Sequence, residues 1–141
     1  MPGILTDSQR QTVDPTEIEA RIVVAPLAAR VRVMLVGTTH PGNIGSTARA
    51  MKAMGLKHLH LVAPERFPHD EATALAVGAA DLLLTAEIHA NLAAALDGVD
   101  IAYATSARDR RIDWPTFTPR SAAADIVARD EAQVAVVFGP E

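Results

Sequence analysis

Short apolar runs alternate with helix-like segments along most of the chain. The run "VRVMLVG" (31–37) is almost wholly apolar and ends at a glycine, and "HLHLVAP" (58–64) is a similar run that ends at a proline. Such runs are typical of strands buried on both faces of a parallel sheet. Two later runs, "DIAYAT" (100–105) and "QVAVVFG" (133–139), predict further strands.

Helix-like segments fill the spaces between these strands. Gly55 and Gly98 are placed to end two of the helices, and Pro119 is placed to open another. Alternation of strands and helices predicts an α/β fold with a largely parallel, Rossmann-like sheet. The predicted helices are "IGSTARAMKAMG", "DEATALAVGA", "HANLAAALDG" and "PRSAAADIVARD", with an apolar run "DLLLT" between the second and the third.

The first 30 residues differ from the regular pattern that follows. Residues 1–30 are mixed in polarity and rich in proline, whereas 31–141 carries the alternating elements. Asp14 as N-cap, Pro15 at the first helical position and Glu17 three residues after Asp14 predict a helix over "PTEIEARIVV". We therefore expect an N-terminal extension followed by one domain, since 141 residues are enough for one core and too few for two.

Composition excludes several classes of protein. The sequence has no apolar run of about 18 residues and no basic segment followed by an apolar one, so we expect neither a membrane span nor a signal peptide, and a cytoplasmic protein. The chain has no cysteine, which excludes disulfides, thiolate metal sites and a cysteine nucleophile within it.

The charge distribution leaves two interpretations open. A net charge of -4 argues against nucleic-acid binding through bulk charge. However, residues 33–64 contain no Asp or Glu but do contain Arg49, Lys52 and Lys57, and Arg108, Arg110 and Arg111 form a second basic cluster. These clusters are either local positive patches for a nucleic acid or ordinary solvated surface.

Polar and glycine-rich segments follow three of the predicted strands. They are "VGTTHPGN", "ATSARDRR" and "VFGPE". Because ligands of open α/β sheets gather outside the carboxyl ends of the strands, we expect the functional site there.

The segment "THPGNIGSTAR" is the first candidate for chemistry. Gly42 and Gly45 permit tight turns or close approach of a ligand, and Asn43 or Ser46 is placed to cap the next helix, whose free N–H groups suit an anion. Neither of the two standard phosphate-loop patterns is present. The alternative is a glycine-rich turn with a cap.

Arg49 stands among small and apolar neighbours, on a helix that looks buried. Its planar guanidinium suits bidentate binding of a phosphate. The alternative is a side chain that reaches solvent or pairs with an aspartate of the fold.

Other residues of reactive type form no recognisable site. His40 lies in a loop and His58 and His60 alternate along a strand, with no third ligand in view, so no metal site is predicted. A nucleophile-elbow motif is absent, which leaves a hydrolase triad unsupported. Trp114 and Phe117 either anchor a long loop to the core or stack on a nucleic-acid base.

Four segments together resemble the SpoU branch of the SPOUT superfamily of RNA ribose 2'-O-methyltransferases. They are "NIGSTARAMKAMGL", "LHLVAP", "ATSAR" and "VVFGPE", and the resemblance runs from about Val31 to Glu141. Within this branch the chain most resembles the TrmJ type, which acts on cytidine and uridine in the tRNA anticodon loop. The segment "TSARDRRIDWPTFTPR" also resembles that type.

The resemblance implies an α/β knot fold, S-adenosylmethionine as methyl donor without a metal, and a homodimer that acts on tRNA, or alternatively on rRNA. It assigns Asn43 and Arg49 to the catalytic centre, where the arginine orients a phosphate or helps to deprotonate the 2'-hydroxyl. The cofactor-binding residues it implies are Thr105, Ser106, Ala107, Gly139, Pro140 and Glu141. The RNA-binding residues it implies are His40, Ser46, Arg108 and Arg110.

The family's third motif, which opens the helix that completes the knot, is expected beyond Glu141. We therefore expect this sequence to be an N-terminal portion of such an enzyme, without the knot-forming segment. The alternative for this chain is a non-catalytic RNA-binding α/β module. A Rossmann-type dehydrogenase is disfavoured, because G-x-G-x-x-G is absent.

Overall fold

A computed structural model describes residues 14–106 and 113–140 of the chain. Within this part of the chain, strands and helices alternate as the sequence predicted. The strands are β1 (Val31–Val36), β2 (His58–Val62), β3 (Glu87–His89), β4 (Ile101–Ala104) and β5 (Val134–Phe138). The helices are α1 (Pro15–Arg30), α2 (Pro41–Met54), α3 (Asp70–Ala76), α4 (Ala80–Leu84), α5 (Leu92–Ala95) and α6 (Pro119–Ala128).

The strands form one parallel sheet in the order β3-β2-β1-β5-β4. β1 lies in the middle and pairs with β2 through Arg32 and His58, and with β5 through Val31 and Val134. Its central place explains its sequence, since successive side chains point to opposite faces and both faces are covered. The predicted α/β class and parallel sheet are confirmed.

Helices cover both faces of the sheet. On one face, side chains of β1 and β2 pack against α2, α3 and α4, and α6 covers the β5 side of the same face. On the other face, Met34, Val62, Ala135 and Val137 pack against Ala95 of α5. The sheet therefore has a face that carries α2, the α2 face, and a face that carries α5, the α5 face.

Helix α1 begins as predicted and is longer than predicted. The Asp14 carboxylate accepts a hydrogen bond from the backbone N–H of Thr16 at 2.8 Å, which confirms the N-cap, and the helix continues past Pro26. Arg30 is buried and donates to the carbonyl oxygens of Ile126 and Ala132 at 2.8 and 3.1 Å. The last turn of α1 is thus fixed to the core. The boundary predicted at residue 30, between an N-terminal extension and the domain, stays a prediction. The Glu17 side chain lies outside the described atoms.

Helix α2 begins earlier than the sequence analysis placed it. It starts at Pro41 with His40 as N-cap, and Asn43 and Ser46 lie inside the helix, so neither is the predicted cap. Proline suits the first helical position because its fixed φ is helical and it has no N–H to leave unpaired. The predicted end is confirmed, with Gly55 in the left-handed region at φ 76°.

Gly42 and Gly45 allow two helices to approach each other, and the prediction of a glycine-rich turn is wrong. Both lie within α2 and are buried. A Cβ at Gly45 would lie 2.1 Å from the carbonyl oxygen of Ala72 in α3, and a Cβ at Gly42 would lie 2.8 Å from Cδ1 of Leu75. These glycines are therefore required by the packing of α2 on α3, and this packing holds α2 against the sheet.

One local prediction in the second half differs from the structure, and two further elements, α4 and β3, were not predicted. The "DLLLT" run belongs largely to α4. The helix predicted over 89–98 is confined to α5, which begins after Asn91, whose side chain accepts from the Ala94 N–H at 2.9 Å. Helix α6 begins at Pro119 as predicted, with Thr118 and Ser121 forming a capping box. None of the helices described is long and apolar enough to cross a membrane.

Candidate active site at the carboxyl edge of the sheet

The segments that follow β1 and β2 are joined at the carboxyl edge of the sheet. The Gly37 N–H donates to the carbonyl oxygen of Val62 at 2.8 Å, and the Glu65 N–H donates to that of Thr38 at 3.0 Å. Thr38 is buried, and Gly37 has a φ of 62°, which favours glycine. These bonds fix the short path from β1 to the start of α2.

The segments that follow β4 and β5 meet at the same edge. The Thr105 N–H donates to the carbonyl oxygen of Val137 at 2.9 Å, and its hydroxyl donates to the same oxygen at 3.3 Å. Pro140 lies beside β1, since a Cβ at Gly37 would be 3.5 Å from Cγ of Pro140. The predicted convergence of the three loops is thus present, at the carboxyl ends of the neighbouring strands β1, β5 and β4.

Three polar residues of the first motif share the solvent-exposed side of α2. Asn43, Ser46 and Arg49 are exposed, whereas Ile44 and Ala48 are buried against the sheet. Arg49 follows Asn43 by six positions, which corresponds to about 9 Å along a helix axis. We call Asn43, Ser46 and Arg49 the α2 polar face; it begins at the carboxyl edge and extends along the outside of the domain.

Arg49 does not lie near the core as its neighbours in the sequence suggested. Its side chain is exposed and forms no hydrogen bond or ion pair with other residues of the described segments. Lys52, one turn further along α2, is bound instead to the carboxylate of Asp81 at 2.8 Å, and this bond lowers the pKa of Asp81. Of these two cations, Arg49 is therefore the one available to an external anion.

The other predicted site residues divide into two groups. His40 is exposed at the start of α2, and Thr105 and Ser106 are exposed after β4, with Gly139 and Pro140 after β5. Gly139 borders open space, because a Cβ there would meet no atom within 4 Å. The predictions for four further residues lie outside the described segments: Ala107, Arg108, Arg110 and Glu141.

The two aromatic residues of the loop before α6 have different environments. Phe117 packs edge-on against Tyr103, with ring centroids 5.6 Å apart, which supports its role as an anchor. Trp114 is 71% exposed, so its predicted role as an anchor to the core is wrong and its ring is accessible for stacking.

Sequence reasoning missed a histidine pair on the α5 face. His60 is buried, and its ring lies edge to edge with that of His89 in nearly the same plane, with the ring centroids 5.2 Å apart and His60 Nδ1 2.9 Å from His89 Nε2, while Glu87 lies beside both. Burial lowers the pKa of His60, so its imidazole is neutral at pH 7. The sequence analysis did not bring Glu87 and His89 to His60, because it placed His89 at the start of a helix, whereas residues 87–89 form a strand. The alternation in "EIH" was the available sign of that strand. The expectation that the chain holds no metal stays a prediction.

Known proteins are similar to this chain in both sequence and architecture. The model of the SpoU rRNA Methylase family matches residues 30–141. A tRNA (cytidine/uridine/adenosine-2'-O-)-methyltransferase TrmJ of Pseudomonas aeruginosa is 54% identical, over 79% of this chain and 44% of its own length.

Two solved structures show the same fold. A probable methylase family protein from Haemophilus influenzae superposes with a TM-score of 0.75 at 38% identity, over 79% of this chain and 47% of that one. TrmJ from Zymomonas mobilis superposes with a TM-score of 0.71 at 36% identity, over 77% of this chain and 49% of that one. The chain spans less than half the length of the curated relatives it matches.

Proposed function

The chain belongs to the SpoU rRNA methylase family, and we propose that its protein transfers a methyl group to a ribose 2'-hydroxyl of tRNA. The observation that carries the proposal is the α2 polar face, which begins beside the loops of β1, β4 and β5. The relatives named as tRNA 2'-O-methyltransferases support tRNA as the substrate. We further propose a pyrimidine of the anticodon loop as the target.

Arg49 and Asn43 carry the chemistry in this proposal. A ribose hydroxyl is a weak acid, so its attack on a methyl group requires positioning and removal of its proton. The exposed guanidinium of Arg49 binds a phosphate of the target nucleotide through its fork of N–H donors and holds the 2'-hydroxyl in place. Asn43, one turn and a half nearer the carboxyl edge, orients the ribose by hydrogen bonds.

We propose that S-adenosylmethionine binds at the loops that follow β4 and β5. When bound there, it supplies an activated methyl group. Gly139 borders open space and lets a ligand approach the backbone closely. Thr105 is held by its two bonds to Val137, so the backbone groups of this loop are positioned before a ligand arrives. Ser106 and Pro140 complete the described part of the cofactor site, with Ala107 and Glu141 adjoining it in sequence.

RNA contacts extend along α2 from the cofactor site. His40 and Ser46 lie on either side of Asn43 and are exposed, and no acidic residue occurs in the first turn of α2. The helix N-terminus therefore favours a phosphate. Arg108 and Arg110 are proposed to add positive charge, which would make binding depend steeply on salt. The exposed ring of Trp114 is available to stack on a base.

We also propose that the whole protein acts as a homodimer, as the family resemblance implies. An rRNA substrate is the second candidate, favoured by the description of the matching family. Methyl transfer with tRNA and rRNA offered in parallel separates the two substrates.

We expect S-adenosylmethionine to bind at Gly139, and we expect Gly139→Val to weaken that binding at least about tenfold, or ~1.4 kcal/mol. A Cβ at residue 139 would meet no atom within 4 Å, so the valine side chain starts in open space and the fold should be unaffected. Isothermal titration calorimetry measures this on the 141-residue chain and on a version continued through the expected third motif.

Ala128→Val is the matched control, because Ala128 is exposed at the end of α6. It should bind the cofactor as the wild type does. Absence of binding to both versions of the wild-type chain would argue against the methyltransferase and favour an RNA-binding module. Equal binding by Gly139→Val would remove Gly139 from the cofactor site.

A further inference from the structure

We propose that His60, Glu87 and His89 form a binding site for a divalent transition-metal ion, for which zinc is the best match. The site lies on the α5 face of the sheet and includes none of the residues proposed for methyl transfer. The three residues offer two imidazole nitrogens and a carboxylate oxygen, all within 4.8 Å of one another.

The spacing of the three atoms suits zinc. His60 Nδ1 lies 2.9 Å from His89 Nε2, and Oε2 of Glu87 lies 3.7 and 3.8 Å from these two nitrogens. A point equidistant from all three atoms is about 2 Å from each, which matches the usual Zn–N and Zn–O distances. The two ring nitrogens face each other in the metal-free protein, so both imidazoles turn toward this point when an ion binds. Two histidines and one carboxylate leave a fourth position open to water, and imidazole ligands favour zinc over magnesium or calcium.

The sheet places these ligands before any metal arrives. The parallel register sets His60 of β2 opposite Glu87 of β3, and His89 follows two residues later on the same face of β3. His60 is only 4% exposed, so neighbouring side chains restrict its ring. Ligands carried by strands and held by packing are better positioned than ligands on loops.

The site is open to solvent on one side. A cavity of about 370 Å³ is lined by all three residues and by His58 and Arg32, which gives an ion a path to enter. The Arg32 guanidinium lines the same cavity, and its positive charge would repel a metal ion. It donates, however, to the carbonyl oxygens of Ala95 and Asp97 at 3.3 and 2.8 Å. These bonds direct its charge toward α5.

When no metal is bound, His60 and His89 form a hydrogen bond with each other, and this bond competes with metal binding. Two nitrogen lone pairs 2.9 Å apart would repel each other, so one nitrogen carries a proton when no metal is bound. A bound metal takes the place of that proton and couples β3, a strand of three residues at the edge of the sheet, to β2. Metal binding should therefore raise the melting temperature of the domain.

The test is titration of zinc chloride into the 141-residue chain, prepared without a histidine tag and stripped with a chelator. Calorimetry should report one zinc per chain, and the melting temperature should rise with zinc. Glu87→Gln and His89→Gln should each weaken zinc binding about tenfold or more. His58→Gln is the matched control, because His58 is exposed and lines the same cavity but is not one of the three ligands. Its affinity should equal that of the wild type.

Two results would overturn the proposal. One is a folded wild-type chain that shows no heat of zinc binding and no thermal shift. The other is equal affinity in the wild type, Glu87→Gln and His89→Gln, which would assign the zinc to surface histidines. If His89→Gln fails to fold, Glu87→Gln decides, since the Glu87 side chain is 66% exposed and its replacement leaves the core intact.

Discussion

Arg49→Ala is expected to lower methyl transfer to tRNA by at least about 100-fold while leaving the fold intact. The arginine is exposed on α2 and makes no contact that the described fold depends on, so its loss removes only the group proposed to hold the target nucleotide. The measurement is transfer of a radioactive methyl group from S-adenosylmethionine to tRNA by the chain continued through the third motif. Thermal unfolding followed by circular dichroism checks the fold.

Lys52→Ala is the matched control for this substitution. Lys52 is also a cation of α2, but it is paired with Asp81, and an exposed pair of this kind contributes little to stability. This variant should keep a rate within a few-fold of the wild type. Full activity of Arg49→Ala would disprove the catalytic assignment. Equal losses in both variants would indicate a general requirement for positive charge on α2.

Gly45→Ala is expected to destabilise the domain by about 2 kcal/mol or more. The new Cβ would lie 2.1 Å from the Ala72 carbonyl oxygen, and because that oxygen belongs to the backbone of α3, one helix must move. The gain in helix propensity from glycine to alanine, about 1 kcal/mol, offsets only part of this cost. The free energy of unfolding from urea titration measures the effect.

Gly42→Ala is the matched control, because it also replaces a glycine of α2 by alanine but creates no clash with a backbone atom. It lies in the same helix, but its new Cβ would meet the ends of two flexible side chains, Leu75 Cδ1 at 2.8 Å and Glu71 Oε1 at 3.0 Å. Those side chains can turn away, so Gly42→Ala should stay within about 1 kcal/mol of the wild type. If Gly45→Ala were as stable as Gly42→Ala, the close approach of α2 and α3 would not be a determinant of this fold.

The strands of the sheet could be predicted from the sequence because their signal is local. Apolar runs placed β1, β2, β4 and β5 at nearly their observed positions, and a glycine or proline ends three of these runs. β3 was not predicted because it has only three residues and two of them are exposed, so its sequence contains no apolar run. The start of α2 was missed although Pro41 signals it, since two glycines nearby suggested a turn.

The candidate site could be predicted only in outline. The rule that ligands gather at carboxyl ends of strands located the edge, and Thr105 and Gly139 lie there as expected. The exposure of Arg49 could not be read from its neighbours, because a helix places adjacent residues on different sides. The meeting of His60 with His89 depends on the register of β2 and β3, which no local pattern encodes.

The most direct test of the central claim is methyl transfer by the chain continued through the third motif, with unmodified tRNA and rRNA offered in parallel. Mass spectrometry of the digested RNA locates the methyl group. We predict one 2'-O-methylated pyrimidine in the tRNA anticodon loop, absent from the Arg49→Ala reaction. Methylation of a base, or of rRNA alone, would contradict the account.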